Sequence, residues 1–190
     1  GWYPRGAKTG ADVMNPNGAM MKAIALNGTA VLGTWPNNSQ GWGRLALENT
    51  LYFNSNVGGG GTGDTRRMRL FERENAAGLA TGEQHEYVLN SVAAGQDLRV
   101  TLAWFDPEAS PGAAVTLVNN LDLEVVGPGG TNVYKGNVFS AGLSTPNSGT
   151  ADARNTVEQF RLATVPAGAY TLRVKGTAVP GNGRPGSTRQ

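Results

Sequence analysis

Seven oxygen-bearing side chains carry the densest chemistry in the sequence: Asp106, Asn119, Asn120 and Asp122, joined by Asp152, Asn155 and Glu158. Calcium takes roughly six to eight oxygens from such residues, so these seven are the candidate calcium ligands if their loops converge. Asp and Asn at strand ends also form Asx-turns with no metal, and the sequence leaves both readings open. The groups needed for catalysis are sparse. His85 is the one histidine, and its position between Glu83 and Glu86 reads as a solvated strand surface. None of the eight serines sits in Gly-x-Ser-x-Gly, and the chain has no cysteine, so a self-sufficient hydrolytic triad or a thiolate site is not expected. Glu72 and Glu74 share a strand face, but glycosidase work needs two carboxyls about 5 to 10 Å apart across a cleft, and surface solvation explains them better. No residue of this chain is assigned a catalytic or cofactor-binding role.

The elements that must position the oxygen cluster are strands. In residues 97–105 Leu98, Val100, Leu102 and Trp104 alternate with Arg99, Thr101 and Ala103, and in 121–126 Leu121, Leu123 and Val125 alternate with Asp122 and Glu124. That period of two marks half-buried strands. Asp106-Pro107 ends the first run, because proline supplies no ladder N–H. Further strands are expected at 66–74, 83–90, 131–136, 157–163 and 169–176, with a tight hairpin at Gly127–Gly130. The expected class is mainly β, a jelly-roll or other β-sandwich.

Ahead of it, Asn15-Pro16 signals a helix start, Met20, Ala23 and Ile24 share a face, and Gly28 is placed to end the helix in a left-handed conformation. A second short helical run is expected from Arg44 to Leu51, with Trp42 as a packing anchor. The glycine-rich stretch 55–64 reads as a linker, not a phosphate loop, since no Lys-Ser or Lys-Thr follows it. The expected organisation is therefore 1–54, a helical segment; 55–64, a linker; and 65–190, the β-domain.

Composition narrows the partners. Sixteen Lys and Arg against fourteen Asp and Glu give a formal net charge of +2, and the basic residues are scattered, which gives nucleic-acid binding little support. No apolar stretch approaches the roughly 20 residues of a membrane span.

Three ordered blocks carry a resemblance. NPNGAMMKAIALNGTA (15–30) with QGWGRLALENTL (40–51) looks like the last helices of a subtilisin catalytic domain. LRVTLAWFDP (98–107) with LVNNLDLEVVGPGGTNVYKGN (117–137), and DARNTVEQFRL (152–162) with PAGAYTLRVKGTAVP (166–180), are similar to the jelly-roll strands that follow it in some subtilases. The chain thus resembles the C-terminal part of a subtilisin-like serine peptidase of family S8. The resemblance implies a secreted, extracellular parent that hydrolyses peptide bonds in protein substrates. Its Gly-Thr-Ser-Met-Ala nucleophile motif and the other triad members map upstream of Gly1. The partner implied is that N-terminal catalytic portion, braced by the jelly roll, whose final strand is expected beyond Gln190. The resemblance also implies structural calcium. Asn119-Asn120 stands where relatives often have Asn-Asp, and Val138 where an acidic residue is common, which lowers the charge available to hold the ion. The rival reading is a stand-alone binding module for carbohydrate or protein, or a structural surface domain.

Overall fold

The alternation in residues 98–104 and 121–125 becomes the wall of the core. In a computed structural model of the protein, the residues described are 13–33, 35–50, 68–73 and 77–181. Seven strands are defined among them: β1 (Gln84–Val92), β2 (Leu98–Ala103), β3 (Asn120–Val126), β4 (Val133–Ser140), β5 (Leu143–Pro146), β6 (Val157–Leu162) and β7 (Gly168–Ala178). They form an antiparallel five-stranded sheet in the order β1-β7-β3-β4-β5 and a two-stranded sheet, β2-β6. The pairing is nested: β1 takes β7, β2 takes β6 and β3 takes β4, as when a long hairpin is folded over into a jelly roll. The protein is thus mainly β, with the sandwich the sequence predicts.

Leu123, Val125, Tyr134, Phe160, Val165, Tyr170 and Leu172 make the buried cluster, and Leu98, Val100 and Leu102 pack on it from the two-stranded sheet. Both alternating runs therefore point their apolar sets inward, and Trp104 is buried with its indole N–H donated to the Asn119 carbonyl at 3.0 Å. Tyr170 closes its corner by donating its hydroxyl to the Pro166 carbonyl, 3.1 Å away. On β1, His85 lies on the half-buried side with Tyr87 and Leu89 while Gln84, Glu86 and Val88 are exposed, so it is less solvated than its acidic neighbours in sequence imply.

Two strand expectations change. Residues 68–73 form no strand; Phe71 is exposed, and the segment is engaged by side chains instead. Glu72 accepts from the Asn17 amide at 2.8 Å, and Arg73 donates to the Tyr87 hydroxyl at 3.1 Å while its guanidinium lies over the ring. Glu74, the second carboxylate considered in the sequence, lies outside the described residues, as does the 55–64 stretch. Conversely, β5 is additional. Ala141 and Gly142 both have positive φ, 49° and 79°, and join Ser140 to its partner Leu143 as a two-residue hairpin loop. Ala-Gly is a poor signal for a turn usually written Asn-Gly, which is why the sequence hides it.

The chain divides into two compact units, Gly1–Glu72 and Arg73–Gln190. In the first, helix α1 spans Gly18–Asn27 and is capped by Asn17, whose side-chain oxygen accepts from Met20 N at 2.9 Å. The helix thus starts two residues after the expected Asn15 cap, because Asn17 supplies the oxygen. Met20 and Ile24 are buried as expected, joined by Ala19, while Ala23 is half-buried. Gly28 is not left-handed (φ −95°); it is glycine for space, since a Cβ there would sit 2.1 Å from Thr50 Cγ2. The expected second helix is only a 3-10 turn, Leu47–Asn49. Trp42 does anchor this unit, edge-on to buried Trp35 at 5.7 Å. No helix among the described residues is long and apolar enough to cross a membrane.

Candidate functional site

The site arises where β4 leaves β3. The two strands pair at only three positions, Glu124↔Lys135, Val125↔Tyr134 and Val126↔Val133. Beyond them β4 turns away through Gly136 and Asn137, the latter left-handed at φ 59°. Asn tolerates that conformation better than most residues, because its short side chain finds local hydrogen bonds. Here the bonds are to β6: Nδ2 donates to the Val157 carbonyl at 2.8 Å and Oδ1 accepts from Gln159 N at 2.9 Å. One side chain thus takes the place of a ladder strand on either side of Glu158.

Glu158 shares the inward face of β6 with Phe160 and Leu162, and it is fully buried. Its Oε2 reaches across to accept the Leu123 N–H at 2.6 Å, on the stretch of β3 that β4 has vacated. The reach is possible because residue 136 is glycine. A Cβ there would lie 2.2 Å from Glu158 Oε2 and 2.7 Å from its Cβ. Gly136→Ala is therefore expected to destabilise the sandwich by about 1–3 kcal/mol, the usual cost of overpacking. A urea midpoint equal to that of the parent would refute this account of the glycine.

Burial pushes the Glu158 carboxyl up to about 8, with Asp122 and Asp152 adding to the rise and the Leu123 N–H opposing it. Asp122 and Asp152 are thus each within electrostatic reach of Glu158. Asp152 is well supplied with donors: Oδ2 accepts from Asn137 and Asn155 side-chain amides, each at 2.6 Å, and Oδ1 from Arg154 N at 2.8 Å. Asp122 Oδ2 accepts from the Thr177 hydroxyl. Among the described residues of this site, three buried oxygens have no donor: Asn120 Oδ1, Asp122 Oδ1 and Glu158 Oε1.

The other candidates serve a loop. Both Asp106 oxygens accept backbone N–H groups, from Val118 and Asn119 at 2.7 Å each, which pins the chain where it re-enters β3. Asn119, 3 % exposed, accepts the Gly181 N–H at 3.0 Å. The structure therefore sorts the seven candidates into Asp106 and Asn119 as loop pins, Asp152 with Asn155 as a hydrogen-bonded pair, and Asn120, Asp122 and Glu158 as holders of donorless oxygens. No three His, Cys, Asp or Glu side chains among the described residues group closely enough to hold a metal ion. Any cation here would rely on amide oxygens as well as carboxylates. Sequence reasoning missed Asn137, Gly136 and Thr177. The dipeptide Gly136-Asn137 at the end of a strand was a usable signal, since both residues favour a break in the ladder.

No family model matches the chain. It is similar to three proteins of Dictyostelium discoideum named serine protease/ABC transporter B family proteins. It is 28 % identical to tagA over 94 % of this chain and 10 % of that protein, and 28 % identical to tagB over 95 % and 11 %. With tagD the identity is again 28 %, over 65 % of this chain and 9 % of the relative. The chain spans about a tenth of the length of these curated relatives. At this coarse level it is similar to a region of serine protease-related proteins.

Proposed function

We propose that this chain is the C-terminal portion of a secreted subtilisin-like serine endopeptidase, in which the β-sandwich braces the catalytic portion and takes no part in the chemistry. The observation that carries the reading is the similarity to serine protease-related proteins along nearly the whole chain, together with the three subtilase-like blocks at 15–51, 98–137 and 152–180. In the parent, a serine attacks the peptide carbonyl, a histidine carries its proton, an aspartate orients the imidazole and hydrogen-bond donors stabilise the oxyanion. The partner of the sandwich is that catalytic portion of the same polypeptide, and the substrates are proteins.

The coding template upstream of Gly1 tests this. A Gly-Thr-Ser-Met-Ala motif closely preceding the first residue is the expected result. An unrelated domain or a start codon there would sink the protease reading and leave a binding module in its place. The purified chain is also expected to cleave no protein substrate. Hydrolysis by a pure sample that a serine-directed inhibitor stops would place the catalytic groups within these residues.

A structural calcium ion belongs to the same proposal. The donorless oxygens of Asn120, Asp122 and Glu158 are hard ligands of the kind calcium takes, and a bound ion would favour the ionised form of Glu158 against the opposing effect of Asp122. Asn137 and Gly136 position Glu158, and Thr177 orients Asp122. Calcium is expected to raise the melting midpoint relative to chelator. Coincident midpoints would remove the ion from the account.

A further inference from the structure

Residues 37–41 form an exposed turn in the first unit, apart from the site described above. The sequence there is Asn37-Asn38-Ser39, an Asn-x-Ser triplet without proline. The backbone closes on itself through Gly41 N to Asn37 O at 2.8 Å and the return bond at 3.3 Å, with Gly41 at φ 55°. Within this loop the Asn37 side-chain oxygen accepts from Ser39 N at 2.8 Å and from Gln40 N at 3.0 Å. That is an Asx-turn centred on the triplet. Asn38 and Ser39 are exposed, and Asn37 is half-buried.

The turn matters chemically because a carboxamide nitrogen is a poor nucleophile: its lone pair is delocalised into the carbonyl. Two N–H donors on Oδ1 stabilise negative charge there and so favour loss of a proton from Nδ2. We propose that Asn37 is an acceptor for an N-linked oligosaccharide delivered from a lipid-diphosphate donor. A bond forms between Asn37 Nδ2 and the anomeric carbon. The bond from that carbon to the diphosphate oxygen breaks, its electron pair leaving with the lipid diphosphate, and the Nδ2 proton passes to a base of the transferase. The assignment rests on the reading of the chain as part of a secreted protein.

The chain holds its own control. Asn27-Gly28-Thr29 is also Asn-x-Thr, but Asn27 ends α1, Gly28 is packed against Thr50, and Thr29 is buried with its hydroxyl donated to the Leu26 carbonyl at 3.0 Å. The second and third residues of that triplet are therefore buried, whereas Asn38 and Ser39 are exposed, so a glycan is expected at Asn37 and not at Asn27.

The test is translation of the full chain behind a cleavable leader with endoplasmic-reticulum microsomes. Import is scored by protection from added protease, and the glycan by an endoglycosidase-sensitive mass shift. The expected result is one glycan on the protected chain, wholly lost in Asn37→Gln and Ser39→Ala and retained in Ser39→Thr and Asn27→Gln. Enzymatic release in isotope-labelled water should mark residue 37 alone. A protected chain without glycan, or a glycan that survives Asn37→Gln, overturns the assignment. Either result leaves the protease reading to be judged on the upstream template, so the two fail separately.

Discussion

Stability of the chain in chelator falls as the pH rises from about 4.5 to about 8, and Glu158→Gln flattens the curve over that range. The sign follows from which state holds the proton. Unfolded, Glu158 titrates near 4.5; folded, burial holds the proton until about 8. Between those values the native state binds more protons than the unfolded state, so stability declines with pH. The contribution is fully present below the unfolded pKa and is lost as the folded pKa is passed. One group titrating in this way gives a slope of up to about 1.4 kcal/mol per pH unit. A carboxamide at this position would retain an oxygen for the Leu123 N–H and carry no charge to bury, so the variant should equal the parent at low pH and exceed it at high pH. The calcium ion proposed above would reduce the decline, because a cation bound by Glu158 favours the ionised carboxyl. Chemical denaturation at several pH values decides the matter. A parent curve as flat as that of the variant would show that Glu158 is ionised in the folded protein across the whole range.

Phe160→Ala is the substitution expected to damage the sandwich most. Phe160 is 1 % exposed and joins the sheets: its ring meets Tyr134 of the five-stranded sheet edge-on, with centroids 5.0 Å apart and planes at 71°. It also faces Val100 of β2 across the ladder. Removal takes away the buried aromatic surface and leaves a cavity between two sheets that cannot both collapse onto it, which costs about 3–5 kcal/mol. That is a large fraction of the roughly 5–15 kcal/mol by which domains are stable. The urea midpoint should fall steeply with little change in slope. Val88→Ala, on the exposed face of β1, should stay within about 0.5 kcal/mol of the parent. Equal losses at both positions would mean that the inter-sheet layer is not the core of this unit.

What the sequence determined by itself was the set of inward faces. Leu121, Leu123 and Val125 are buried, and Leu98, Val100 and Leu102 pack half-buried against the core, because a strand has a fixed period of two and a slip by one residue would turn the whole set outward. The same rule, applied to VEQFRL, places Glu158 on the face of Phe160, so a buried carboxylate was legible in the sequence. The breaks were legible where they use proline, as at Asp106-Pro107. They were not legible where an atypical residue carries a left-handed turn, as at Ala141.

Only the tertiary structure decided what the oxygen cluster is. Strand register is local, but the partner of an edge is not: the vacated part of β3 receives a side chain from β6, thirty-five residues away at Glu158. No periodicity could report that β4 would diverge at Gly136, or that Asn137 would stand in for a strand. Nor could spacing tell Asp106, which spends both oxygens on its own loop, from Asp122, which keeps one without a donor. Residue type sets which groups are able to bind oxygen-seeking partners, while the three-dimensional hydrogen-bond pattern sets which oxygens are left to do so.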